Sequence, residues 1–204
     1  DLIGVGSPIM DLLARVPGIE TARNGGPGSP ASVFLRGSES RFTAVYIDGV
    51  RVDSQATGGA LWEQIPLAQI DHIEVLRGPA AAVYGSDAIG GVIQLFTRKG
   101  EGKAAPYVGI GYGTYNTRKV EAGVSGSAGE GGAFDYSLGI AHEESGGFDS
   151  QTGVVHNPDL DGYRSTSAHA KLGFQINRTQ RLDATVLAND LNAGYDAYGY
   201  TPVA

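Results

Sequence analysis

The chain has 204 residues, including 32 Gly and no Cys, and its 15 Lys+Arg stand against 22 Asp+Glu for a formal net charge of -7. Without cysteine there is no disulfide scaffold, zinc finger, iron–sulfur site or thiol nucleophile, and the acidic balance argues against nonspecific nucleic-acid binding, which needs a basic field. No segment approaches the roughly 18 consecutive apolar residues of a transmembrane helix, but a transmembrane β-barrel stays open, because its strands alternate apolar and polar residues. The chain opens on Asp1 without an initiating Met or a basic-then-apolar leader, so a targeting signal is expected to lie outside it.

In chain order, Ser7-Pro8 provides an N-cap followed by Pro at the first helical position. Ile9, Leu12, Leu13 and Val16 then form one apolar stripe of a short helix, which Pro17-Gly18 ends. Val33-Phe34-Leu35, Ala44 to Ile47, Ile73 to Leu76 and Val92 to Phe96 predict short strands of one small sheet. Gly-rich loops, Asn24 to Pro30 and Ser54 to Gly59, separate them, so the first hundred residues read as an α/β domain.

From Pro106 the pattern becomes monotonous. Val108, Ile110 and Tyr112 alternate with small or polar residues, as do Val120, Ala122 and Val124. The same holds for Phe134, Tyr136, Leu138 and Ile140, for Ala168 to Ile176, and for Leu182 to Ala188. Five successive strands are therefore apolar on one side and carry Lys119, Glu121, Asp135, His169, Lys171 and Asp183 on the other. A soluble antiparallel sheet with a covered face and a transmembrane barrel both make this pattern. Lengths near the roughly 9–11 residues of a tilted spanning strand favour the barrel. So do aromatics near strand ends (Tyr107, Tyr112, Tyr115, Phe134, Tyr136, Tyr163), placed as an interfacial girdle. Strands of a meander alternate in direction, so the long segments Glu143 to Arg164 and Asp190 to Pro202 must emerge on one side, the habit of extracellular loops.

Four segments then occur in order: Val33-Phe34-Leu35-Arg36-Gly37, Val45 to Val50, Ile70 to Pro79 and Val83 to Ile93. Together they resemble the plug domain of TonB-dependent outer-membrane receptors over roughly residues 7 to 99. The resemblance implies an α/β plug domain (residues 1–99) followed by the first antiparallel strands of a 22-stranded transmembrane β-barrel (residues 100–204), with a long acidic extracellular loop at 143–164. A barrel of about 22 strands cannot close with five, so the sequence reads as a fragment without the N-terminal TonB box and most of the barrel. Within the family the resemblance runs to the cobalamin receptors, through Asn24-Gly25-Gly26 and Gly28, Asp48 to Arg51, Gly147-Phe148-Asp149, Asn157 to Gly162 and Gly194 to Tyr198.

That resemblance implies calcium on the acidic loops, held by Asp149, Asn157, Asp159, Asp161, the Tyr195 carbonyl and Asp196. Calcium takes six to eight hard oxygens, and four gathered carboxylates would repel one another without a cation. Asn157-x-Asp159-x-Asp161-Gly162 mimics the start of an EF-hand, but its twelfth position is Ala168 where Glu is required. Solvated loop acids are the alternative. For the ligand, the resemblance points to Pro30, Ser32, Glu39, Thr57 and Gly58 on the plug apex and Ala197 on the barrel; an ordinary Gly/Pro turn cluster is the alternative. Arg36 and Arg77 would need carboxylate partners on a barrel wall.

Catalysis finds little support: there is no G-x-S-x-G elbow or H-E-x-x-H, and Gly109-x-Gly111-x-Gly113 sits on a strand without a following helix. His72, His142, His156 and His169 are scattered and read as solvated. The expected protein is a monomeric outer-membrane receptor of a Gram-negative cell, not an enzyme, that captures cobalamin with calcium, is energised by TonB and sits in outer-membrane lipid. Alternatives are a siderophore receptor of the same fold and a soluble β-rich binding or adhesion domain.

Overall fold

The computed structural model describes residues 9–26, 28–53, 58–78, 83–85, 88–150 and 159–194. The stripe of the first helix forms α1 (Ile9–Leu13), with Ile9, Met10 and Leu13 buried. Val16 lies beyond its end but still packs on the same core.

Two small sheets make up the N-terminal unit. β1 (Ile19–Arg23) pairs antiparallel with β2 (Ala31–Leu35), and a four-stranded sheet runs β4 (Val50–Arg51), β3 (Thr43–Ile47), β6 (Gly91–Thr97), β5 (Ile70–Leu76). Val33–Leu35 therefore does not join the sheet of the other predicted strands. Its partner is β1, whose sequence Ile-Glu-Thr-Ala-Arg lacks a continuous apolar run and buries only Ile19. At the centre, β3 and β6 pair in parallel, which explains their apolar runs, since a parallel pair is covered on both faces. Val45, Ile93 and Leu95 are fully buried there with Val33, Leu35 and Trp62.

Asp48-Gly49 joins β3 to β4 as a two-residue hairpin, with φ of 48° and 82°, the left-handed pair that type I′ turns require. At the start of β6, Gly91 has φ 147°, and a Cβ there would lie 2.5 Å from Leu35 Cδ2 and 2.7 Å from the Leu76 carbonyl. Glycine is fixed at this position by backbone and by packing.

The second unit is an antiparallel meander of five strands, β7 (Ala105–Gly113), β8 (Thr117–Ala128), β9 (Phe134–Ser145), β10 (Tyr163–Gln175) and β11 (Arg181–Ala193), each paired only to its chain neighbours. One face is inverted relative to a soluble protein. Val108 is 78% exposed, Ile110 85% and Ile140 64%, whereas Asp135, Ser137, Ser167 and His169 on the other face are buried. An exposed apolar face running across five strands is a surface made for lipid.

The predicted girdle holds only in part. Tyr112 and Phe134 are outward and exposed, but Tyr107 and Tyr163 alternate with the apolar residues and point inward. Gly123 and Gly139 leave room for the Tyr107 side chain, since Cβ atoms there would lie 2.6 Å from its ring and 2.7 Å from its hydroxyl. His169, expected to be solvated, is buried with its Nε2 3.1 Å from Ser137 Oγ.

Candidate functional site

The loop from Asn24 to Pro30 is closed by the Asn24 N–H donating to the Pro30 carbonyl at 3.1 Å and the Ser29 N–H donating to Gly26 O at 3.0 Å. It is pressed against one end of the meander. A Cβ on Gly28 would lie 2.7 Å from Ala193 Cβ and 2.9 Å from Tyr163 Cβ, and one on Gly26 would lie 3.3 Å from the Asp161 carbonyl. The glycines are the means of that approach.

On the other side of the contact, the described ends of the long connection after β9 (146–150 and 159–162) lie together. Asp161 is buried, and its carboxylate accepts the Ser150 N–H at 3.1 Å and the Ser150 hydroxyl. Its own N–H donates to Phe148 O at 3.2 Å, and the Gly194 N–H donates to Gly162 O at 2.7 Å. The Tyr115 and Phe148 rings meet at 4.9 Å. The connection after β9 and the segment leaving β11 thus share one side, as strand alternation predicts. The short turn at Tyr115 shares it too, since Gly146 N–H donates to Tyr115 O at 2.8 Å.

The expected ligand residues fall into two groups. Pro30, exposed, ends the loop that meets Asp161 and Tyr163, and Ser32, half-buried, follows it on β2 opposite Ala22. Glu39, paired with Arg41 at 2.7 Å, and Gly58, whose carbonyl accepts Ser40 Oγ at 2.7 Å, are brought together through Ser40. Thr57 and Ala197 lie outside the described residues, as do Asn157, Tyr195 and Asp196 of the expected calcium set. Asp161 points to Ser150, Asp149 is half-buried and Asp159 exposed. Among the described residues, no three His, Asp or Glu gather so as to hold a metal. Arg36 and Arg77 form no ion pair among them, and His156 lies outside them.

Below the apical loop, a cavity of about 660 Å³ separates the two units, with Leu12, Ile65 and Ile73 on one wall and Lys119, Glu121 and Ser165 on the other. Lys119 and Glu121 pair on that second wall at 3.0 Å.

Deeper still, the units are joined by a node that sequence reading missed. Asp48 accepts the Thr97 N–H at 3.0 Å, the Thr97 hydroxyl, Lys171 Nζ at 2.9 Å and Thr185 Oγ1 at 3.2 Å. Burial raises the Asp48 carboxyl, but the hydrogen bonds from Thr97 and Lys171 more than offset it, so the group lies below its ordinary 3.8. Asn189 Nδ2 donates to Gln64 O at 3.2 Å, and the Arg98 guanidinium sits 5.0 Å above the Tyr107 ring. The only local signal was the Asp-Gly turn, which reads as hairpin chemistry and not as an ion-pair partner 123 residues away.

A small two-sheet unit docked on the polar face of an outward-apolar meander is the expected geometry, and residues 6–92 match the family of the TonB-dependent Receptor Plug Domain. This chain carries the plug of a TonB-dependent receptor. It is 36% identical over 200 residues to the Vitamin B12 transporter BtuB of Vibrio vulnificus, covering 95% of this chain and 32% of that protein. To the Vitamin B12 transporter BtuB of Photobacterium profundum it is 34% identical over 192 residues, covering 94% and 31%. The solved siderophore receptor PirA from Acinetobacter baumannii superposes with a TM-score of 0.69 at 22% identity over 92% of this chain and 30% of that one, which speaks to the fold alone. The chain spans about a third of the length of the curated relatives it matches. It is a receptor segment of the Gram-negative outer membrane, with a plug seated against the inner face of barrel strands.

Proposed function

We propose that the receptor to which this chain belongs binds cobalamin at its extracellular face and imports it with energy from TonB. The observation that carries the cargo is the 36% identity to a vitamin B12 transporter over an alignment that covers 95% of the chain. The geometry supports capture and not catalysis. An apical plug loop and an extracellular barrel loop converge where Gly26 and Gly28 meet Asp161 and Tyr163, so a ligand resting there touches both units at once. Pro30, Ser32, Glu39 and Gly58 are the proposed plug contacts, with Thr57 and the barrel's Ala197 completing the set.

Release then requires the plug to move, because Asp48–Lys171 and Asn189–Gln64 hold it to β10 and β11. A pull by TonB from the periplasm is the proposed source of that work. Calcium belongs to the proposal through Asp149, Asn157, Asp159, Asp161, Tyr195 and Asp196, as an ordering ion for the acidic loops. The described acids alone do not assemble such a site; Asn157, Tyr195 and Asp196 of the proposed set lie outside the described residues.

Equilibrium titration of the purified full-length receptor with cyanocobalamin, with calcium and with a chelator, tests both parts. Saturable binding that weakens on chelation is the expected result. Binding unaffected by chelation removes the calcium role. Absence of cyanocobalamin binding alongside saturable binding of a ferric siderophore overturns the cargo.

A further inference from the structure

Cross-strand register resolves the outward face into rows at fixed heights. Val108, Ala122, Ile140, Ala168 and Ala188 form one row, with Pro106, Val124, Leu138, Ala170 and Val186 below it. Gly126, Tyr136, Leu172 and Ala184 follow, and Ala128, Phe134, Phe174 and Leu182 form the lowest. All are apolar or small except the Tyr136 hydroxyl. A mixed row, Ile110, Val120, His142, Thr166 and Asp190, closes the apolar band on the side of the long loop.

The next row up changes chemistry altogether: Tyr112, Arg118, Glu144, Arg164 and Asn192. Phe134 to Glu144 is ten residues along β9, roughly 33 Å at about 3.3 Å per residue, or about 25 Å of height for a strand tilted near 40°. That equals the height of the lipid-facing band, so the guanidiniums of Arg118 and Arg164 stand at the headgroup level of the outer leaflet. Neither is held in an ion pair among the described residues, although the single carboxylate of Glu144 is registered beside both. Arg118 donates only to the neutral Asn116 Oδ1 at 3.3 Å, and Arg164 and Glu144 form no ion pair among the described residues. A recess of about 430 Å³ opens at this rim, lined by Asn116, Glu144, Arg164 and Asn192.

We infer that this rim is a binding site for a phosphorylated lipid of the outer leaflet, with Arg118 and Arg164 each taking a phosphate and Asn116 and Asn192 donating amide hydrogen bonds beside them. A guanidinium fork matches phosphate oxygens two at a time. The two arginines are separated by two strand spacings, about 10 Å, which suits a lipid bearing two phosphates, while its acyl chains lie along Ile110, Val108 and Ile140. Glu144, registered between them, opposes the anion and sets a limit on the affinity. The inference rests on the outer-membrane placement and is independent of the cargo.

Native mass spectrometry of the full-length receptor in detergent, titrated with bisphosphorylated lipid A, monophosphoryl lipid A and dioleoylphosphatidylcholine, tests it. The expected order is tightest for two phosphates and weakest for phosphatidylcholine, with the Arg118→Gln/Arg164→Gln double variant losing about thirtyfold for the bisphosphorylated lipid. Glu144→Gln should bind that lipid several-fold tighter, a gain that a misfolded barrel cannot produce. Excess inorganic phosphate should leave the lipid in place, because the acyl chains hold it too. Equal affinity in the double variant, no preference for phosphates, or full displacement by inorganic phosphate would overturn the inference.

Discussion

Asp48 opens the turn after β3, and its carboxylate meets donors from β6, β10 and β11. Lys171 is the one charged donor, so Lys171→Met leaves the carboxylate with neutral partners in a site where its side chain is 13% exposed. Loss of a charge-assisted hydrogen bond of this kind costs about 2–3 kcal/mol. In the full-length receptor that cost should appear as faster proteolysis and hydrogen exchange of the plug, while the barrel keeps its heat-resistant migration. The same residue gives a pH dependence. The folded pKa lies below 3.8, so the node contributes fully above the ordinary carboxylate range and is lost as pH falls through the lowered value. Plug protection measured by exchange should hold at about pH 6 and fall below about pH 4, and Asp48→Asn should flatten that dependence.

Gly28 supports a second prediction at this scale. Its Cβ position is filled by Ala193 and Tyr163, so Gly28→Val must push the apical loop away from the barrel. Cyanocobalamin affinity should drop at least tenfold with little change in thermal unfolding, since the loop is peripheral to the core at Val45, Ile93 and Leu95. A titration paired with calorimetry checks both.

At the level of elements, Gly91 is where three pieces meet: β6 begins there, Leu35 of β2 packs on it, and the Leu76 carbonyl of β5 faces it. Gly91→Ala combines a left-handed backbone with a Cβ clash and should destabilise the plug by about 3 kcal/mol, read as an earlier plug transition in a thermal melt of the full-length receptor. The elements with strong local patterns were legible from sequence. β3 and β6 announced themselves by apolar runs, and the five barrel strands by two-residue alternation. β1 was not, because Glu20, Thr21 and Arg23 mask a strand whose partner is set by a loop seven residues long. The girdle reading placed Tyr107 and Tyr163 by position along the strand and overlooked that parity sends them inward. Site residues showed the same division. The acidic loop and the Gly-rich apex could be read because each is local in the chain. The Asp48–Lys171 and Ser150–Asp161 bonds could not, since nothing in either sequence neighbourhood specifies a partner brought near by tertiary packing.

For the whole molecule, an outward apolar face, an inward polar face and a plug docked on the latter are the observed frame. Under the proposed function, the ligand is captured where the two units converge, and movement of the plug is the event that couples capture to import. Uptake of labelled cyanocobalamin by cells carrying the full-length receptor, with and without functional TonB, tests this account most directly. The account predicts saturable uptake that disappears without TonB while surface binding persists. Surface binding with TonB-independent uptake, or no binding of cyanocobalamin at all, would contradict it.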